Sequence, residues 1–179
     1  GRLFLNTGRD RRLVMADLDG HGAIVHPDRD AVAEAAASAG IGLIVVDPFV
    51  KSHRLDENSN AHMDAAATAW AEVAERTGAA VLLIHHVRKA GGDGVEATRG
   101  AKALTDAARS AALLSPMASE DAQALSVPER ERWRYVRLDD ANANLAPRAE
   151  GARWYRLETV KLGNATDLYP AGDSVAAIA

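Results

Sequence analysis

The chain has 179 residues, of which 47% are hydrophobic and 26% charged, with a formal net charge of -4 and no cysteine. That length supports one domain with a real core. The acidic balance argues against a dominant nucleic-acid surface, though not against a local basic patch, and the missing cysteines remove disulfides, thiolate chemistry and Cys-ligated metal. No apolar stretch approaches membrane-spanning length and no signal peptide opens the chain, so no membrane partner and a cytoplasmic, reducing compartment are expected.

In chain order, Leu3 to Asn6 and Leu13 to Ala16 read as short strands around the turn Thr7-Gly8-Arg9-Asp10. After Pro27, Asp28 or Asp30 can cap a helix through Ala39, which Gly40 ends. Leu43-Ile44-Val45-Val46 follows as a strand running into Asp47-Pro48. Phe49 to Ser59 reads as a polar loop. Asn60 can cap a helix that puts Met63, Ala66, Ala67, Trp70, Val73 and Ala74 on one face, closed by Gly78. A second apolar run, Val81-Leu82-Leu83-Ile84, ends in His85-His86. Ala90-Gly91-Gly92-Asp93-Gly94 reads as a flexible loop, Gly100 to Ala108 as a short helix and Ser110 to Leu114 as a strand. Ser119 to Leu125 reads as a short helix, and Tyr135 to Leu138 and Trp154 to Leu162 as an antiparallel pair of late strands. Both ends of the chain read as cut.

Two short apolar runs separated by one helix predict central strands of a parallel sheet, covered on both faces. In such sheets ligands bind beyond the carboxyl ends of the strands, which gathers Asp47, His85 and His86 on one edge. An Asp closing a strand can hold Mg2+, a hard cation that prefers oxygen ligands; the bland alternative is an Asp capping the turn before Pro48. Adjacent strand residues point to opposite faces, so His85 and His86 do not readily chelate one ion; one packs and the other faces the ligand edge. A metallohydrolase built from Asp47, His53 and His86 is the competing metal reading. Arg88, Lys89, Arg99 and Lys102 surround the glycine loop and can touch phosphates, or simply be solvated surface charge. Arg109, among small apolar residues, is either paired to a core acid such as Asp106 or Asp47 or a phosphate reader. No G-x-x-x-x-G-K-[ST] occurs in the 179 residues.

The ordered series Leu43-Ile-Val-Val-Asp47-Pro48, Glu57-Asn58-Ser59-Asn60, an Ala-rich helix, then Val81-Leu-Leu-Ile-His85-His86-Val-Arg-Lys89 resembles the RepA-type replicative helicases, RecA-like hexameric ATPases. The resemblance continues through Ala97-Thr98-Arg99-Gly100-Ala101-Lys102-Ala103-Leu104, Asp106-Ala107-Ala108-Arg109, Val136-Arg137-Leu138, Asn144-Leu145-Ala146-Pro147 and Arg153-Trp154-Tyr155. It implies an α/β fold: a three-layer RecA-like P-loop NTPase core, a mainly parallel sheet with helices on both faces, incomplete at the N-terminus. The whole chain, 1–179, would be one such domain lacking the Walker A segment. The implied cofactors are ATP and Mg2+. The implied partners are further copies of the chain in a homo-oligomeric, hexameric ring, and single-stranded DNA.

Carried over by position, Asp47 resembles the Walker B aspartate that holds Mg2+. His86 matches the strand-end residue that senses the γ-phosphate, with His85 the second choice, and Arg109 matches the arginine finger that completes a neighbouring subunit's site. Arg88, Lys89, Arg99 and Lys102 fall where such folds turn toward a DNA channel. Relatives tend to carry Lys where this chain has Asn142, and Lys161 is the candidate substitute. The alternative is a non-catalytic, ring-forming or DNA-associated α/β binding module without a P-loop.

Overall fold

The computed structural model describes residues 2–9, 11–86, 97–143 and 151–178. They form a mixed α/β protein in two compact units, Gly1–Ala108 and Arg109–Ala179.

The first unit is organised by one amphipathic helix. A hairpin of β1 (Asp17–Leu18) and β2 (Ile24–Val25) precedes α1 (Arg29–Ala39). Then come β3 (Leu43–Val46), a 3-10 turn (Phe49–Ser52), α2 (Asn60–Thr77), β4 (Ala80–Leu83) and α3 (Ala97–Ala107). Helix α2 buries Met63, Ala66, Ala67, Ala69, Trp70 and Val73 at helical spacing. All but Ala67 pack with Met15, Ala16, Ala33, Phe49 and Leu55 into one core. Small side chains on both helices let α1 lie close to α2, and Arg29–Glu72 (2.6 Å) and Arg76–Asp30 (2.5 Å) pin the pair from outside. Both helices end on glycines in the left-handed region, Gly40 at φ +62° and Gly78 at φ +70°, where a side chain would be strained.

Strands β3 and β4 pair in parallel, Leu43 opposite Ala80 through Val46 opposite Leu83, with α2 as the crossover that parallel pairing requires. The expected mainly parallel, doubly covered sheet reduces, among the described residues, to this one parallel pair. Ile44, Val46, Val81 and Leu83 pack on the core, whereas Leu43, Val45 and Leu82 on the opposite side are 57%, 53% and 50% exposed. An uninterrupted aliphatic run therefore does not mean two covered faces here.

The expected strands at Leu3–Asn6 and Leu13–Ala16 do not form. Leu3, Phe4 and Leu5 are exposed and, among the described residues, unpaired by any strand, while the stretch after Leu13 runs beside the 3-10 turn, with Met15 donating to the Ser52 carbonyl (2.7 Å) and Arg54 to that of Ala16 (2.9 Å). Asp28 flanks α1 but does not cap it; its carboxylate takes the Val14 amide (2.7 Å) and the Arg11 guanidinium. The cap of α2 is Ser59, whose hydroxyl accepts from the His62 amide, not Asn60. The segment 49–59 is no ordinary polar loop: Phe49, Ser52, His53 and Leu55 are buried in it.

The second unit is an antiparallel sheet ordered β5 (Ser110–Pro116), β6 (Tyr135–Ala143), β7 (Arg153–Lys161) and β8 (Ser174–Ile178). Each neighbouring pair in it runs antiparallel. A short helix α4 (Ser119–Ala124) and a second 3-10 turn (Glu129–Arg134) lie between β5 and β6. Only Met117 and Ala122 are buried hydrophobics in this unit, among the described residues. Among the described residues no helix is long and apolar enough to cross a membrane.

Candidate functional site at the strand ends

The backbone ladder continues past the two parallel strands. Ile84 donates to the Val46 carbonyl (2.9 Å) and Phe49 to that of Ile84 (2.8 Å). This fixes the segments carrying Asp47 and His86 side by side at the carboxyl edge. His86 Nε2 stands 3.5 Å from Asp47 Oδ1, and both side chains are exposed, 73% and 57%. Two residues far apart in sequence thus present a carboxylate and an imidazole to one solvent-facing point. The Asp47–Pro48 peptide is cis.

His85 turns the other way, as strand alternation requires. It is half-buried, edge-on to the Phe49 ring (6.2 Å between centroids, 76°), and its Nδ1 is buried with no partner among the described residues. His53 flanks Phe49 at 4.9 Å. The His53 Nδ1 accepts from the Leu55 amide, so Nε2 carries the proton of the neutral ring, and that atom too is buried without a partner among the described residues. Burial pulls both imidazoles below their ordinary pKa; the nearby Glu57 charge pulls upward, and the neighbouring imidazole, His85 for His53 and His86 for His85, lowers each further. Ser52 locks this floor in place, donating to the Phe49 carbonyl (2.8 Å) and accepting from the Trp70 indole (3.1 Å). The strand-end site is therefore built on a rigid base tied to α2. Sequence reading had no signal for that role of Ser52 and Trp70, because the pair is 18 residues apart.

The remaining site residues divide. Arg88 and Lys89 lie outside the described residues. Arg99 falls within α3. Lys102 is exposed on α3 and paired to Asp106 at 2.6 Å, which offsets its charge. Arg109 is exposed at the start of the second unit. The Asp47–His53–His86 metal set is not assembled: His53 is 3% exposed within the core, and no group of three or more His, Cys, Asp or Glu that could hold a metal ion exists among the described residues. Mg2+ bound beside a nucleotide needs no such group, since one or two carboxylates suffice where phosphates and waters fill the other positions. The exposed Asp47 oxygens fit that donor set.

An α/β unit with a carboxylate and an imidazole at the ends of adjacent parallel strands has the layout of a nucleotide-site edge. Residues 1–92 match the family model described as AAA domain, and the chain belongs to that family of ATPase-type domains.

Proposed function

We propose that this chain is part of an ATP-hydrolysing motor of the RecA-like, RepA-type helicase kind, with Mg-ATP at interfaces between subunits of a ring and single-stranded DNA as the track. The observation that carries the reading is the meeting of Asp47 and His86 at 3.5 Å on the carboxyl edge of β3 and β4, in a chain of the AAA family. A three-layer core with a mainly parallel sheet belongs to this proposal.

Asp47 would hold Mg2+, which supplies charge neutralisation on the nucleotide phosphates. His86, exposed beside it, would donate to the terminal phosphate and report its presence. Arg109 would reach the site of a neighbouring subunit, and Arg88, Lys89, Arg99 and Lys102 would contact the DNA backbone. Water is the nucleophile in such a reaction, and the protein contributes positioning and electrostatics. The fixed ladder from Val46 to Phe49 and Ile84 supplies the positioning.

The test is ATP hydrolysis by the product of the complete open reading frame, with and without single-stranded DNA. Asp47→Ala and Arg109→Ala are expected to abolish it, the arginine change by about 10³-fold or more if it acts as a finger. Wild-type rates in either variant would remove that residue's role. No hydrolysis by the folded, DNA-supplemented protein would favour the non-catalytic binding module.

A further inference from the structure

The three tryptophans of this chain have different fates. Trp70 is 2% exposed in the core, Trp154 is half-buried, and Trp133 is 64% exposed. Trp133 sits in the 3-10 turn Glu129–Arg134, where residues three apart eclipse one another. Three faces follow. Glu129 and Arg132 share one and pair at 2.8 Å; Arg132 also donates to the Met117 carbonyl (2.6 Å), so this face is spent on structure. Arg130 and Trp133 share the second, and both are exposed. Glu131 and Arg134 share the third, and the Arg134 guanidinium lies over the Trp133 ring, 5.2 Å from its centroid.

Neither Arg130 nor Arg134 has a carboxylate partner among the described residues; Glu131, half-buried, does not pair with either. The contrast within the same unit is informative. Arg137 also lies near a tryptophan, 5.9 Å from the Trp154 ring, but it is held by Asp139 (2.9 Å) and Asp121 (3.8 Å), and Trp154 is half-buried. That pair is internally neutralised. The Trp133 group leaves a large aromatic surface in water, with Arg134 on the ring and Arg130 on the same face of the turn as Trp133.

We propose that Arg130, Trp133 and Arg134 form a contact for single-stranded nucleic acid, with one base stacked on the indole and the adjoining phosphates held by the two guanidiniums. An aromatic face flanked by unpaired arginines meets both demands of an unpaired strand: stacking, available with any base, and phosphate neutralisation. This contact lies in the second unit, away from the sequence region assigned to the DNA channel, and needs no ATP hydrolysis.

The test is fluorescence anisotropy of the full chain against labelled oligo-dT, oligo-rU of equal length, and a duplex, with Trp133 emission followed in parallel. Trp133→Ala is expected to weaken single-strand binding by about 10-fold, within the range for loss of one stacked base. Arg130→Gln and Arg134→Gln are each expected to weaken it and to lower the salt slope by about 0.7. Arg156→Gln, which removes a cation paired to Glu158, is the control and should change little. Stacking should quench emission, and Trp133→Phe should remove the quench in a chain whose far-UV spectrum is unchanged. The dT and rU arms show whether DNA or RNA is preferred. Unchanged affinity in Trp133→Ala, a quench that survives Trp133→Phe, equal affinity for duplex, or no binding of any strand up to about 10⁻⁴ M would each overturn the proposal. Binding through Arg88 and Lys89 alone gives the first of these results, so the channel reading and this one fail separately.

Discussion

The two units solve the problem of burial differently. The first builds a core of ten buried residues, five of them on α2, and hangs its chemistry on the rim of that core. The second relies on the ladders of a four-stranded sheet whose described strand residues are all at least partly exposed. The backbone placement of Asp47 and His86 follows from the ladder bonds beside them, on strands packed against that core. Accessibility at Trp133 follows from the thin packing around it. A unit that spends its apolar residues on a core can position a reacting group, whereas one that leaves them at the surface offers area for partners.

The comparison can be broken most forcefully at Trp70. Trp70→Ala should cost about 3–5 kcal/mol in denaturant unfolding, because it empties a core site and removes the Ser52 tie. The equivalent change at half-buried Trp154 should cost clearly less, and equal losses would erase the distinction between the units. Ser52→Ala should destabilise by about 1–3 kcal/mol, since it leaves the buried Trp70 indole N–H without its acceptor. Gly78→Ala should cost about 1 kcal/mol through the left-handed φ alone, as nothing stands within 4 Å of the added methyl.

Acid sharpens the comparison without mutation. His53 and His85 both have pKa values lowered in the folded state by burial. The unfolded chain therefore binds more protons as the pH drops below the ordinary imidazole value of about 6.5, and stability falls in that window. It is fully present above that value. His53→Phe should flatten the dependence of the melting temperature on pH between about 7 and 5; an unchanged slope would mean that other groups carry it. The smallest effect on stability belongs to Asp47→Ala, expected within about 0.5 kcal/mol because the side chain is exposed. Near-native folding of that variant together with lost hydrolysis would locate its contribution in the site.

The elements with strong local signals were legible. Helix α2 declares itself by apolar spacing, β3 and β4 by aliphatic runs, and the two helix ends by Gly40 and Gly78. The placement of Asp47 and His86 on one edge also follows from sequence, since two strands joined by one helix crossover must run parallel. The burial of Phe49, Ser52, His53 and Leu55 was not legible, because partners far off in the chain hold the segment: Trp70 holds Ser52, and residues 15 and 16 hold the backbone at 52–54. Nor was the hairpin at Asp17–Val25, whose two-residue strands are too short to show alternation and which depends on Asp19 accepting from His21 and Ala23.

By itself the sequence determined which segments fold locally, since helical and strand periodicities and glycine caps act over a few residues. Only the tertiary structure decided which face of β3 and β4 stays exposed, that His85 is half-buried while His86 meets Asp47, and that Trp133 stands in solvent with Arg134 on its ring. Those outcomes depend on what packs across a long sequence separation, and the energy of burial is a property of the neighbours a residue acquires rather than of the residue alone.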